Sequence, residues 1–474
     1  MIKQIPLPEY RPDQSVNSGV LLTCQNVFPA LDGYRPIRDI QSVSDALDEA
    51  FLGGYSAIAS NGNAYFLAGT ASDLYRISSA GAWSSLVSGL SITQRWQFAQ
   101  FGNYVVAVNG AATREVDLAT ATATAISGAP TFDSIAVVGD YVVGGRPNNE
   151  VNKVRWSAFR DHTGWTNGTN QAGEQPMLTG GAVMGIAGGE YGIILQRERI
   201  TRMTRTGDAT APFQFDEISV NYGCANGATI AQSGRTVFFY SDRGFMALDD
   251  GQILKNIGSE KVDRTFAKTI SRNKLGSIYT AIDPQNKIVA WGIPGEPGQL
   301  WIYNWELERW STGTISFTGI FPGFTTSYTT DDLSSLGYSD VDDVNILVDD
   351  PRWSGGTPKL YFIDEERKAG TLTGSTLAAD FDTGYQTIID GRLTRPRSIR
   401  PTTDAITGLT VSVNAKARIG DADNVSSTST LRPSGVMPIR GKGRYHRFRL
   451  QIAAGTEWTY AQGMDIEFEV GGIR

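Results

Sequence analysis

Seven aspartates, Asp331, Asp332, Asp340, Asp342, Asp343, Asp349 and Asp350, fall within twenty residues and are the first candidates for chemistry. Hard cations take several carboxylate oxygens, so calcium is one reading, but the EF-hand spacing is absent. A solvated loop is the ordinary explanation of such a run. The third reading is a surface turned toward a partner or toward the lumen of an assembly. A second set is basic: Arg440, Lys442, Arg444, Arg447 and Arg449, in a C-terminal region that also holds Arg392, Arg395, Arg397 and Arg400. A basic face on an acidic protein can dock and orient an acidic neighbour. Ordinary exposed strand positions are the alternative.

Groups that could drive a reaction are few. His162 and His446 are the only histidines, and Cys24 and Cys224 the only cysteines, too few for a disulfide framework or most zinc sites. His162 could act as a general base, but within Arg-Asp-His-Thr-Gly-Trp it reads as a turn residue between strands. Neither a phosphate-binding G-x-x-x-x-G-K-[ST] loop nor a G-x-S-x-G elbow occurs. The glycine-rich run 177–192 precedes a strand, so close backbone packing explains it better than phosphate cradling. Glycoside hydrolysis needs two acids across the bond, and no spacing nominates a pair. The turns 241–248 and 159–166 only partly echo the Ser-x-Asp-x-Gly-x-Thr-Trp turns of sialidase-like proteins. Asn167-Gly168-Thr169 and Asn424-Val425-Ser426 match the glycosylation pattern, without a signal peptide to give it meaning. The expectation is a protein without catalytic residues, cofactor or metal.

Charge and composition bound the function class. Lys+Arg is 42 against Asp+Glu 49, a net charge of −7, whereas sequence-independent DNA affinity needs a basic surplus. No secretory h-region and no run approaching the ~18 apolar residues of a membrane span is visible. Synthesis in the cytosol without membrane insertion is the simplest expectation.

The elements that must position these residues are strands. Helix-forming segments with a plausible cap are limited to a few, such as Ser42–Phe51 and Gly258–Lys268. Elsewhere, runs of Val, Ile, Tyr, Phe and Thr are punctuated by glycine. Two-hairpin units recur, and the turn glycines of their first hairpins fall at 62, 102, 139, 189 and 234, spaced 40, 37, 50 and 45 residues apart. A four-stranded propeller blade repeats every ~40–50 residues, so the spacing predicts an all-β fold: a β-propeller of six or seven blades. Trp83, Trp156, Trp165, Trp301 and Trp310 read as inter-blade packing, with carbohydrate stacking as the alternative. The expected division is an extended, proline-bearing N-terminal arm and entry segment at 1–50, the propeller at 51–375 with an acidic insertion near 314–356, and a β-sandwich-like platform at 376–474, where alternation becomes strict.

The segments NVFPALDGYRPI (Asn26–Ile37), SDLYRI, FAQFGNYVVAVNG, VRWSAFRDHTGWT, EYGIILQRERITRMTRTG and the C-terminal GRYHRFRLQIAAGTEWTYAQGMDIEFEVGG carry a resemblance. Together they are similar to the tail nozzle, or packaged-DNA stabilisation, proteins of short-tailed bacteriophages. The resemblance spans nearly the whole chain through diffuse patterns rather than an invariant motif. It implies a propeller with an added β-sandwich platform, assembled as a ring of six copies below the portal and tail adaptor. It also implies attachment of fibres, spikes or a needle, passage of double-stranded DNA through the lumen, and a virion location after assembly in bacterial cytoplasm. The family has no catalytic residues to carry over. The alternative function is a glycan-binding or glycan-cleaving propeller acting at the host surface. A bacterial propeller scaffold unrelated to phage is a further one.

Overall fold

Glycine at a tight hairpin turn accepts the left-handed backbone that a side chain disfavours. All five turn glycines, Gly62, Gly102, Gly139, Gly189 and Gly234, have positive φ and join the first two strands of a four-stranded antiparallel unit. The computed structural model describes residues 1–77, 81–324, 358–423 and 425–471. Six meanders follow one another along the chain, at 53–87, 97–125, 134–176, 183–219, 231–256 and 279–317. A seventh combines Gly319–Phe324, Pro358–Ile363 and Lys368–Thr371 with Gln41–Ala46 from near the N-terminus. These are numbered blades 1 to 7. The inner strand of blade 7 packs against those of blades 1 and 6, so the units close into a propeller-like ring.

Ser42–Phe51, expected as helix, is instead strand at Gln41–Ala46. Pairing with Lys368–Thr371 satisfies its backbone and closes the last blade, overriding local helix propensity. The helix expected within Gly258–Lys268 forms as α1 (Asp263–Thr269). The acidic insertion begins later than 314, because Arg309–Phe317 and Gly319–Phe324 are both strands.

Tryptophans fill the gaps between blades. Trp156 meets Phe213 at 5.3 Å between blades 3 and 4, and Trp165 meets Phe132 at 5.0 Å. Trp291 and Trp310 of blade 6 stack at 5.7 Å, with Phe245 of blade 5 within 4.8 Å of both.

The first fifty residues do not form a separate arm. Ile2–Pro6 pairs with Ala461–Val470, and the hairpin Val27–Ala30/Gly33–Pro36 joins the same sheet, which continues through Thr394–Thr403 to Met437–Pro438. Leu21–Gln25 lies between Arg309–Phe317 of blade 6 and Ala379–Thr383. Blade 6 thereby continues through Ala379–Thr383, Tyr445–Ile452 and Leu409–Lys416 to Val425–Thr430, one ten-stranded sheet. The two sheets face each other: Tyr34 and Phe381 meet at 5.4 Å, and Ile466, Phe468, Val411 and Leu450 share a core that also contains Trp291 and Trp310.

Asn26 sits where these parts meet. It is buried with φ 61°, a left-handed conformation that asparagine tolerates better than most side chains. Its backbone N–H donates to Thr312 O at 2.7 Å, and its side-chain oxygen accepts from Thr314 N at 2.6 Å in blade 6. Its amide nitrogen donates to Ala378 O at 2.7 Å, and its carbonyl accepts from Ile37 N at 3.0 Å. Replacing Asn26 by Ala removes the partner of the Thr314 N–H and the Ala378 C=O and leaves alanine in a left-handed conformation, so Asn26→Ala is expected to cost about 1–3 kcal/mol in denaturant melts. A loss below about 0.5 kcal/mol would show that this junction bears no load.

Candidate functional site

The inner strands of all seven blades surround a cavity of about 630 Å³. Gly54, Ala99, Ala136, Gly185 and Ala187 keep much of its wall close to backbone. Residues 184–188 of the glycine-rich run line it: a Cβ at Gly188 would fall 2.2 Å from Val137 O, and the adjoining Gly189 accepts from Gly139 N at 2.7 Å. Close approach of neighbouring inner strands is thus what Gly188 and Gly189 permit.

Two glutamines close the ring where backbone alone does not. Gln100 accepts from Ile58 N at 3.2 Å and donates to Ile58 O at 2.6 Å, clasping blade 2 to blade 1. Gln232 does the same to Gly188 N at 3.1 Å and Gly188 O at 2.5 Å, clasping blade 5 to blade 4. Each also donates to the carbonyl of its own turn glycine, Gly102 or Gly234. The repeated Ala-Gln-x-Gly at 99–102 and 231–234 is the sequence signal for these clasps.

One mouth of the cavity is spanned by Arg95. Its guanidinium reaches from blade 2 to the carbonyls of Ser277 (2.7 Å) and Ile278 and lies 3.6 Å from the ring centroid of Tyr279 in blade 6. Burial pulls its pKa down, opposed by Tyr279. Arg146 and Asp133 form a 2.7 Å ion pair in the wall. The volume is that of a small-molecule pocket (~300–1,000 Å³). A DNA duplex, about 20 Å across, does not fit through a cavity of this size.

Asp331, Asp332, Asp340, Asp342, Asp343, Asp349 and Asp350 lie outside the described residues. The flanks of that segment, Phe324 and Pro358, pair at the end of blade 7's inner strand, beside the mouth opposite Arg95.

The five C-terminal basic residues are not brought together as five uncompensated charges. Arg447 and Arg449 project from one face of Tyr445–Ile452, while His446, Phe448 and Leu450 fill the core. Arg447 holds Asp382 through two hydrogen bonds of 2.8 and 2.6 Å, and Arg449 pairs with Asp380. Arg440 and Lys442 are exposed in the preceding loop, with Arg444 half-buried beside them. Arg397 pairs with Glu469 on the other sheet.

The remaining candidates for chemistry have structural surroundings. His162 contacts Glu115 at 2.7 Å and stacks on Tyr104 at 4.6 Å, linking blade 3 to blade 2. Burial pushes His446 down to about 4, and its Nε2 lies 2.8 Å from Thr394 Oγ1. Both cysteines are buried, and burial pushes the Cys224 thiol up to about 12. Among the described residues, no three of His, Cys, Asp and Glu cluster closely enough to hold a metal ion, and no helix is long and apolar enough to cross a membrane.

No family model and no curated protein matches the chain. Among solved structures, it is similar to the RRP9 WD40 repeats (9% identity, 60% of this chain and 89% of that one, TM-score 0.37). It is also similar to PorZ, a surface component of the type-IX secretion system of Porphyromonas gingivalis (9% identity, 76% and 43%, TM-score 0.39). A third is the dihydro-heme d1 dehydrogenase NirN (11% identity, 86% and 80%, TM-score 0.38).

Among the described residues one carboxyl has a markedly raised pKa. Burial, reinforced by the nearby charge of Asp13, pushes Asp263 up to about 6, while hydrogen bonds from Phe245 N and Asn256 act the other way. It is wedged against Gly244 and Gly258, where an added Cβ would fall 2.0 Å from its oxygens, so the group is packed rather than offered to a substrate. A carboxyl with a raised folded pKa stabilises the fold most below its unfolded pKa and loses that contribution as pH rises through about 6. Asp263→Asn is therefore expected to be more stable than the native chain at pH 7.5, by about 1 kcal/mol after allowing for partial exposure, with the advantage gone near pH 4. Thermal melts across this range check it; an advantage that grows on acidification contradicts it.

Proposed function

We propose that this chain is a structural component of a short-tailed phage tail: a nozzle subunit whose copies, six in the family it resembles, form a ring below the portal and adaptor. In this reading the ring extends the DNA channel, helps retain the packaged genome and carries fibres, spikes or a needle. It belongs to the virion and assembles in the cytoplasm of the host bacterium. Residues 376–474, with the N-terminal strands that pair to them, act as a β-sandwich-like platform attached to a seven-bladed propeller. The chain performs no reaction of its own.

The observation that carries this reading, beside the sequence resemblance, is the continuous sheet from blade 6 into the C-terminal strands. Strand pairing and a shared core join the two parts, which suits a load-bearing piece better than a mobile binding module. The small, spanned cavity of the single propeller fits the same reading, because it leaves duplex passage to an axis between copies.

Glycan binding at the host surface is the second reading, favoured by the cavity, where the Arg146–Asp133 pair and Gln97 lie with the aromatic rings of Tyr55 and Phe98. Negative-stain microscopy of the purified protein separates the two. Rings with a lumen wide enough for a duplex, and no release of sugar from host-surface glycans, are expected. Single propellers that bind or cleave those glycans would reject the tail reading.

A further inference from the structure

One face of the propeller carries two opposite charges, two blades apart. From Asp263 to Asp283 the sequence contains no intervening acid, but it holds Arg264, Lys268, Arg272 and Lys274. These residues lie on α1 and on the 3-10 turn Arg272–Ser277, which together lead from the outer strand of blade 5 to the inner strand of blade 6. All four are exposed, as is Arg243 in the adjacent turn of blade 5. Arg272 has only a 3.5 Å contact with Asp242, which is also held by Arg197 at 3.0 Å. Asp13 directs its carboxylate into the backbone N–H groups of Arg264 and Thr265.

The acidic surface lies where blade 7 leads into blade 1. Asp45, Asp48 and Glu49 end the closing strand Gln41–Ala46 and begin the connection after it. Asp364, Glu365 and Glu366 form the adjoining turn of blade 7. The two segments touch: Leu47 N donates to Arg367 O at 3.0 Å, and Ser42 Oγ donates to Asp364 Oδ2 at 2.8 Å. Asp48 accepts from Tyr75 OH and Glu49 from Ser72 N, neutral donors, and among the described residues neither carboxylate has an ion-pair partner. Among the described residues the bases here are Arg367, whose guanidinium donates to the Asp48 carbonyl, and Lys368, paired with Glu366 at 2.6 Å.

Connections from an outer strand to the next inner strand all emerge on one face of such a ring, so both surfaces share that face at different angular positions. We propose that the basic surface of α1 and the following 3-10 turn docks the acidic blade 7–blade 1 surface of a second copy of this chain. The occupant is argued from charge complementarity: five exposed cations with one acidic contact meet six acids with two neighbouring bases. Two different patches meeting make a heterologous contact, which closes into a ring when the rotation it imposes closes. This contact deepens the tail-ring reading and rests on it for the number of copies.

Light scattering on the full chain, with and without charge reversal, tests the contact. Native protein is expected to assemble at about 50 mM salt and to fall toward the 51.3 kDa monomer near 0.5 M, as screening shortens the range of exposed charges. Lys268→Glu with Arg272→Glu and Lys274→Glu is expected to weaken assembly at least about tenfold, and so is Asp45→Lys with Glu365→Lys and Glu366→Lys. Mixing the two reversed proteins should restore the native mass, since each supplies the charge the other lacks. Unchanged melting temperatures establish that both sets still fold.

Assembly unaffected by either reversal, a folded mixture that stays monomeric, or a native chain monomeric at low salt overturns the proposal. So does a short DNA duplex that binds the native chain and is lost by the Lys268 set while assembly mass stays unchanged, because the basic surface then serves nucleic acid. Rings that persist through both reversals would end this contact and leave the tail reading standing. Restored pairing that yields only dimers would do the reverse.

Discussion

Asn26 bears the constraint on which the architecture depends. Its main chain turns out of the ten-stranded sheet into the hairpin of the opposing sheet, and its side chain binds Thr314 of blade 6 and Ala378 before the next strand. A left-handed residue carrying a short amide is what such a crossing requires: the conformation ends one strand, and the amide satisfies the backbone groups exposed by the change of sheet. Thr312 and Cys24 add a neighbouring hydrogen bond of 2.9 Å. The propeller and the C-terminal strands are consequently joined by hydrogen bonds and core packing, not by a linker alone.

The ring itself is held by two devices. Between blades, large aromatic side chains fill wedge-shaped gaps, densest where Phe245, Trp291 and Trp310 meet. Toward the axis, small residues bring neighbouring strands close, and Gln100 and Gln232 supply hydrogen bonds between adjacent inner strands. Arg95 adds a tie across the ring, fastening blade 2 to the entry of blade 6. Radial repetition leaves only short, protected sheet edges, and the pairing of Gln41–Ala46 covers the outer edge of Lys368–Thr371 in blade 7.

The turn glycines and alternating strands of blades 1 to 6 were legible because their chemistry is local. Blade 7 was less so: its outer strand comes from residues 41–46, far along the chain from its partner at 368–371, and its Asp-Ala-Leu-Asp-Glu texture reads as helix. The same non-locality hid the pairing of the first thirty-six residues with the C-terminal strands. The sequence offered Arg447 and Arg449 as a docking face or as ordinary exposed strand positions, but only the pairing of Tyr445–Ile452 with Ala379–Thr383 brings Asp382 and Asp380 within diagonal reach of them. Asn26 stood within the family-like segment, yet nothing in its neighbours announces a left-handed junction. The basic surface of α1 was visible as a short helical segment, while its acidic counterpart needed two segments over three hundred residues apart to meet.

Joined by strand pairing and a shared core, the propeller and the C-terminal strands should open as one cooperative body. Native-state hydrogen exchange followed by mass spectrometry tests it most directly, comparing core strands Ile288–Ile293 of blade 6 and Tyr445–Ile452 of the C-terminal sheet. A single body predicts the same opening free energy for both, within about 1 kcal/mol, and the same dependence on denaturant. C-terminal amides that open several kcal/mol more easily, with blade 6 still protected, would contradict it.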